Sequence, residues 1–155
     1  MNSEMIFHFD HPHCGTIAEV SEVVGGKGAS LWAMTSKLRL PTPAGFTIGV
    51  DACRVLDKTG VTEDFTAALD TAIARLEKET GRGLGDAENP LLLAVRSGAS
   101  VSMPGMMETI LNVGITPLTL PALSDMTGNH PFALDSYQRF LEGFCKSILR
   151  IDLSV

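Results

Sequence analysis

Apolar and polar positions follow two rhythms along this chain. Met5-Ile6-Phe7 is a short apolar patch in a polar, His-rich start and predicts an edge strand. Phe46-Thr47-Ile48-Gly49-Val50 alternates along its length and predicts a second strand. The period then lengthens. Phe65, Leu69, Ile73 and Leu76 recur at helical spacing behind Thr62, which predicts a capped amphipathic helix with Arg75, Glu77, Lys78 and Glu79 on its solvated face. Just upstream, Asp51 reads as the N-cap of a shorter helix through Leu56, ended by Thr59-Gly60.

Leu91-Leu92-Leu93-Ala94-Val95 lacks polar alternation, so it predicts a strand buried on both faces. Apolar character resumes at Ile110-Leu111 and Val113. After Gly114 come turn-rich stretches, Thr116 to Pro121 and Gly128 to Pro131. A last helix follows, with Leu134, Tyr137, Leu141, Phe144 and Ile148 on one stripe that Phe140 and Cys145 broaden. A surface helix does not need that much apolar area. This helix is expected to pack on further elements or to self-associate. The mixture of strands and helices defines an α/β (α+β) chain.

Glycine and proline mark where chemistry could sit. Val23-Val24-Gly25-Gly26-Lys27-Gly28-Ala29 reads as a glycine-rich turn opening a helix, with Leu31, Trp32, Thr35 and Leu38 on its core-facing stripe. Glycines there let backbone approach a ligand, and a helix N-terminus favours negative charge. The spacing is not that of a Walker A loop. Taken alone, Gly-Gly-Lys-Gly is a weak signal, and the safer reading of Lys27 is a solvated turn lysine. Leu40-Pro41-Thr42-Pro43-Ala44-Gly45 is a rigid extended connector. Gly81-Arg82-Gly83-Leu84-Gly85 is a loose loop with Arg82 in solvent.

The other marked point follows Val95. Arg96 stands where the strand should emerge, ahead of Ser97-Gly98-Ala99-Ser100-Val101-Ser102-Met103-Pro104-Gly105-Met106-Met107. In open α/β sheets ligands bind beyond the carboxyl ends of strands. A guanidinium donates two parallel hydrogen bonds to phosphate, and a Ser/Gly loop adds backbone N–H groups. Methionines around a Pro-Gly turn suit a loop that folds over something flat or apolar.

Those two blocks carry a family resemblance. Arg96-Ser97-Gly98-Ala99, Ser102-Met103-Pro104-Gly105-Met106-Met107 and Thr109-Ile110-Leu111-Asn112 resemble the ATP-binding loop of the pyruvate, phosphate dikinases. Gly25-Gly26-Lys27-Gly28-Ala29 and Leu40 to Ile48 resemble the start of the same family's ATP-grasp-type nucleotide-binding domain, and the similarity runs from about Phe7 onward. The phosphoenolpyruvate synthases share the Gly-Gly-Lys block but carry an acidic loop in place of Met-Pro-Gly-Met-Met. The resemblance implies an α/β ATP-binding subdomain over 1–114 and the beginning of a small helical subdomain over 115–155. It implies that Lys27 and Arg96 are catalytic and that Lys27, Arg96, Gly98, Ala99, Ser102, Met103, Gly105, Met106 and Thr109 contact ATP. Gly98 and Gly105 would be hinges of a closing loop, and Glu108 a helix-start carboxylate. Mg²⁺ ligands, a second ATP-grasp half, a phosphohistidine domain and a pyruvate-binding barrel would lie in a remainder that serves as partner. Full-length members convert ATP, phosphate and pyruvate to AMP, pyrophosphate and phosphoenolpyruvate through a phosphohistidine, and this length of chain is expected to be inactive alone. The competing expectation is a standalone, non-catalytic anion-binding module. Ser100 stands where relatives commonly carry a basic residue, and Glu108 where they carry Asp.

Composition narrows this further. With 155 residues the chain suits a domain with a real core, and 45% hydrophobic with 19% charged residues is ordinary for a globular protein. A net charge of -6 points away from nucleic acid and membrane surfaces, so any anion site is a local positive spot. Cys14, Cys53 and Cys145 show no paired spacing and read as reduced thiols, which fits the cytoplasm. His8, His11, His13 and Cys14 invite a metal centre, but His11-Pro12-His13 reads as a loop without a completing ligand set, and no metal site is assigned.

Overall fold

The computed structural model describes residues 4–97 and 109–151. Of these, residues up to Glu79 form one compact unit and those from Thr80 onward a second.

In the first unit, β1 (Ile6–His8) and β2 (Phe46–Ile48) pair antiparallel, Phe7 opposite Thr47. Side chains alternate across a strand, so the ribbon serves two helical neighbours. Phe7 joins Val20, Val24, Ala29 and Trp32 of α1 (Ile17–Trp32). Ile6 points the other way, to Phe65 and Ala72 of α3 (Glu63–Thr80), with Leu69 and Ile48 packed alongside. Each such fully buried side chain contributes about 1.5–3 kcal/mol. Thr62 caps α3, its Oγ1 accepting from the Phe65 amide at 3.3 Å. The edge strand, the alternating strand and the long amphipathic helix are thus as the pattern predicts.

Two expectations in this unit are corrected. The short helix α2 (Val50–Thr59) is capped by Gly49, and Asp51 pairs with Arg54 inside its first turn. A Cβ at Gly49 would meet Phe7 Cε2 at 2.9 Å, so the chain bends into the helix at the close-packed glycine, before the aspartate. Gly60, at φ 72°, ends it as expected. Leu38 is 65% exposed and not on the core stripe. The helix widens into a π turn over Ala33–Lys37, where the Leu38 amide donates to the Ala33 carbonyl, and the extra residue rotates Leu38 outward. Ala29, Trp32 and Ala33 line the core instead.

In the second unit, β3 (Leu93–Val95) pairs antiparallel with β4 (Ile110–Val113). The expected strand buried on both faces is also corrected. Leu91 is buried, but Ala94 and Val95, which point to opposite faces, are both exposed, because the end of a two-stranded ribbon has too few neighbours to cover either face. Gly114 then turns the chain at φ 107°, a position where a Cβ would lie 2.5 Å from the Leu91 carbonyl oxygen. Thr119 is buried; its hydroxyl donates to the Gly114 carbonyl and accepts from the Thr116 amide at 2.8 Å. Helix α4 (Leu120–Thr127) ends at left-handed Gly128.

Helix α5 (His130–Phe144) starts under the side chain of Asn129 and continues as a second π turn, Cys145–Leu149. Its inner face is Ala133 and Ser136, the latter held through its carbonyl by Asn112 Nδ2 at 3.3 Å. Small residues let the helix sit close. The broad apolar stripe lies elsewhere on the helix, with Leu134, Leu141, Phe144 and Ile148 all exposed.

Candidate functional site

The glycine-rich block does not open a helix out of a loop; it interrupts one. Helix α1 already runs from Ile17, behind a capping box in which Thr16 Oγ1 accepts from the Glu19 amide and Glu19 accepts from the Thr16 amide. That box holds the Glu19 carboxyl below the usual range, through the Thr16 backbone first and its hydroxyl second. The signal was legible as Thr16-Ile17-Ala18-Glu19, the spacing of a capping box, and the sequence reading passed over it.

At Gly25 the backbone swings to φ 73°, ψ 164°, and the helix restarts from Gly26. This region of backbone space is open essentially to glycine alone. The restarted segment presents fresh N–H groups and the positive end of its dipole at the kink. Gly28 has a different task. A Cβ there would meet Thr47 Oγ1 and Val24 Cβ at 3.0 Å each, so this glycine lets the segment lie against β2. Lys27 stands exposed between the two. One glycine turns the chain, another seats the helix, and the lysine is carried at the bend.

The second block begins at the end of the β3/β4 ribbon. Val95 pairs with Ile110, so Arg96 and Thr109, the residues adjoining that pair, leave the ribbon at the same end. Both are exposed. A stretch that departs from one strand and returns to its neighbour has a fixed mouth, with a guanidinium on one lip and a hydroxyl on the other. Gly98, Ala99, Ser102, Met103, Gly105 and Met106 lie outside the described residues, as do Ser100 and Glu108. Lys27 belongs to the first unit and Arg96 to the second.

The N-terminal histidines do other work. Burial and the Arg75 guanidinium hold His8 below the ordinary imidazole range. Arg75 itself is bonded to Glu79 and to Asp10, so it ties the β1–α1 loop to α3 and is no mere solvated charge. Among the described residues, no group of three or more His, Cys, Asp or Glu could hold a metal ion.

The first unit thus sets a glycine-kinked helix against a strand, with an exposed lysine at the bend. Residues 21–71, which contain that bend together with β2 and α2, match the family model "Pyruvate phosphate dikinase, AMP/ATP-binding domain". Over 152 residues, 96% of this chain, the sequence is 44% identical to the pyruvate, phosphate dikinase of Rickettsia prowazekii. It is 44% identical to that of Entamoeba histolytica and 47% identical to that of Giardia intestinalis, each over 84% of the chain. The chain belongs to the pyruvate, phosphate dikinase family. It spans 17% of the length of the Rickettsia prowazekii protein and 15% of the other two.

Proposed function

We propose that the chain is the ATP-binding N-terminal portion of a pyruvate, phosphate dikinase and contributes to the half-reaction that takes a phosphoryl group from ATP. The observation that carries this reading is the Gly25 kink, which restarts a helix beside an exposed Lys27 within the matched stretch. Phosphoryl transfer needs positioning and neutralisation of negative charge more than covalent chemistry from the protein. Lys27 supplies a point charge, and the amides behind Gly25 supply oriented donors. Arg96 clamps a phosphate bidentately from the mouth of the ribbon, beside the Thr109 hydroxyl. Gly98, Ala99, Ser102, Met103, Gly105 and Met106 complete the nucleotide contacts as a cover that excludes water.

In this reading Mg²⁺ accompanies the nucleotide and is held by carboxylates in the remainder of the enzyme. That remainder also supplies the phosphohistidine domain and the pyruvate-binding barrel, and phosphoenolpyruvate is the final product. The functional division falls near Gly114, with an ATP-binding subdomain over 1–114 and the start of a helical subdomain over 115–155. The protein works in the cytoplasm; among the described residues no helix is long and apolar enough to cross a membrane.

Calorimetric titration with magnesium-ATP tests the reading. The folded wild-type chain is expected to bind saturably, and Lys27→Ala or Arg96→Ala to weaken binding at least about tenfold, equivalent to about 1.4 kcal/mol. A folded wild type that takes up no heat, or variants that bind as well as wild type, would overturn it.

A further inference from the structure

The loop between β1 and α1 is strapped across the C-terminal end of α1. Trp32 Nε1 donates to the His11 carbonyl at 2.9 Å, Ser36 Oγ to the Phe9 carbonyl at 3.2 Å, and Lys37 Nζ to the Gly15 carbonyl at 3.2 Å. The wide π turn puts these three donors on one side of the helix. Beneath the strap lies a cluster of rings. The His11 and His13 centroids are 4.3 Å apart, Phe7 lies 5.1 Å and 5.2 Å from them, and Trp32 stands edge-on to His13 at 5.6 Å.

The charges around this pair are unequal. Glu4, from the segment before β1, reaches His11 Nε2 at 3.0 Å. Lys37 lies over the face of Trp32, with Nζ 5.1 Å from the ring centroid. Glu19 is engaged in its capping box with Thr16, and Arg75, Asp10 and Glu79 surround His8. One carboxylate therefore faces two imidazoles, while Lys37 is engaged with Trp32 and the Gly15 carbonyl. His11 Nδ1 is buried without a hydrogen-bond partner, which suits a bare lone pair and not an added N–H.

We propose that the His11–His13 pair is a proton-operated clasp: with His13 neutral the loop stays strapped over Trp32, and a proton taken up by His13 parts the rings and releases it. A charge placed on the His13 ring, which packs against His11, Phe7 and Trp32, is poorly solvated there and disfavours that packing. Burial first, and the neighbouring His11 second, hold His13 below the ordinary imidazole range. A group held low in the strapped state favours that state fully above the released imidazole value, about 6.5. The preference is lost as pH falls through the window beneath it. The clasp does not depend on nucleotide binding. It would make the anchoring of the helix that bears Lys27 responsive to protons.

Trp32 is the sole tryptophan, so its accessibility reads the strap directly. Acrylamide quenching of the full chain between about pH 7.5 and about pH 5 is expected to rise at least twofold, reversibly and with unchanged far-UV circular dichroism. In His13→Phe, which keeps a ring and removes the proton site, quenching is expected to stay flat. His13→Gln, neutral throughout, gives the same reading should the phenylalanine variant fail to fold. A Trp32 that stays shielded at the lower pH, or a non-titrating variant with the same rise as wild type, would overturn the clasp.

Discussion

At the scale of single residues, neighbouring glycines in one motif have opposite obligations. Gly25 holds a backbone conformation closed to side chains, whereas Gly26 is helical and a Cβ there would meet nothing nearer than Ser21 Oγ at 3.8 Å. Gly25→Ala is therefore expected to cost about 1–3 kcal/mol in chemical denaturation. Gly26→Ala should be neutral or stabilise by up to about 1 kcal/mol, since it removes a helix-interior glycine. Equal losses from both would show that the kink is not confined to Gly25. The sequence made the glycine cluster visible as a special place, but not which member turns the chain. The sign of φ leaves no mark in a single sequence, and the assignment of Gly28 to packing required Thr47, nineteen positions on, to be brought against it.

Elements were legible where periodicity alone decides them. The alternating strand, the Thr62-capped helix and the stop at Gly60 all rest on local chemistry, and they stand. What failed needed knowledge of the neighbours. The run Leu91 to Val95 reads as doubly buried only if something covers both faces, and at the end of the β3/β4 ribbon Ala94 and Val95 are open on either side. The first half of α1 was missed although Val20 and Val24 recur at helical spacing, because its start is marked only by a cap. That cap carries its own test. Thr16→Ala should cost about 1 kcal/mol in urea unfolding. Because the Glu19 carboxyl is held low in the folded state, its contribution is present above the ordinary glutamate range and lost as pH falls through its lowered value. Wild type and Glu19→Gln should therefore differ in stability at neutral pH and converge in acid. A difference that persists in acid would mean that the carboxylate charge is not what the cap uses.

Across the whole molecule, the apolar accounts do not balance within the second unit. Leu134, Leu141, Phe144 and Ile148 line a helix whose inner face is made of alanine and serine. Exposed apolar area on this scale marks a surface with something to cover it. In the 155-residue chain we expect self-association through this stripe, seen as a concentration-dependent shift in sedimentation velocity and abolished by Leu141→Glu with Ile148→Glu. Sedimentation that ignores those substitutions would exclude the stripe. The sequence announced an over-apolar helix but not which of its faces would be left outside, because the choice fell to Ala133 and Ser136, the residues small enough for close approach.

The π turn after Trp32 sets a constraint on how this chain can vary. A π turn is an α-helix carrying one residue too many, and here the surplus aims Ser36 and Lys37 at the loop while Leu38 is thrown out. Deleting any one residue between Trp32 and Leu38 would restore α-helical register and rotate everything downstream by about a quarter turn or slightly more. Trp32 would keep its place and both of its companions would lose theirs. The length of this stretch is thus fixed along with its donors: even with Ser36 and Lys37 retained, an indel unlaces the strap.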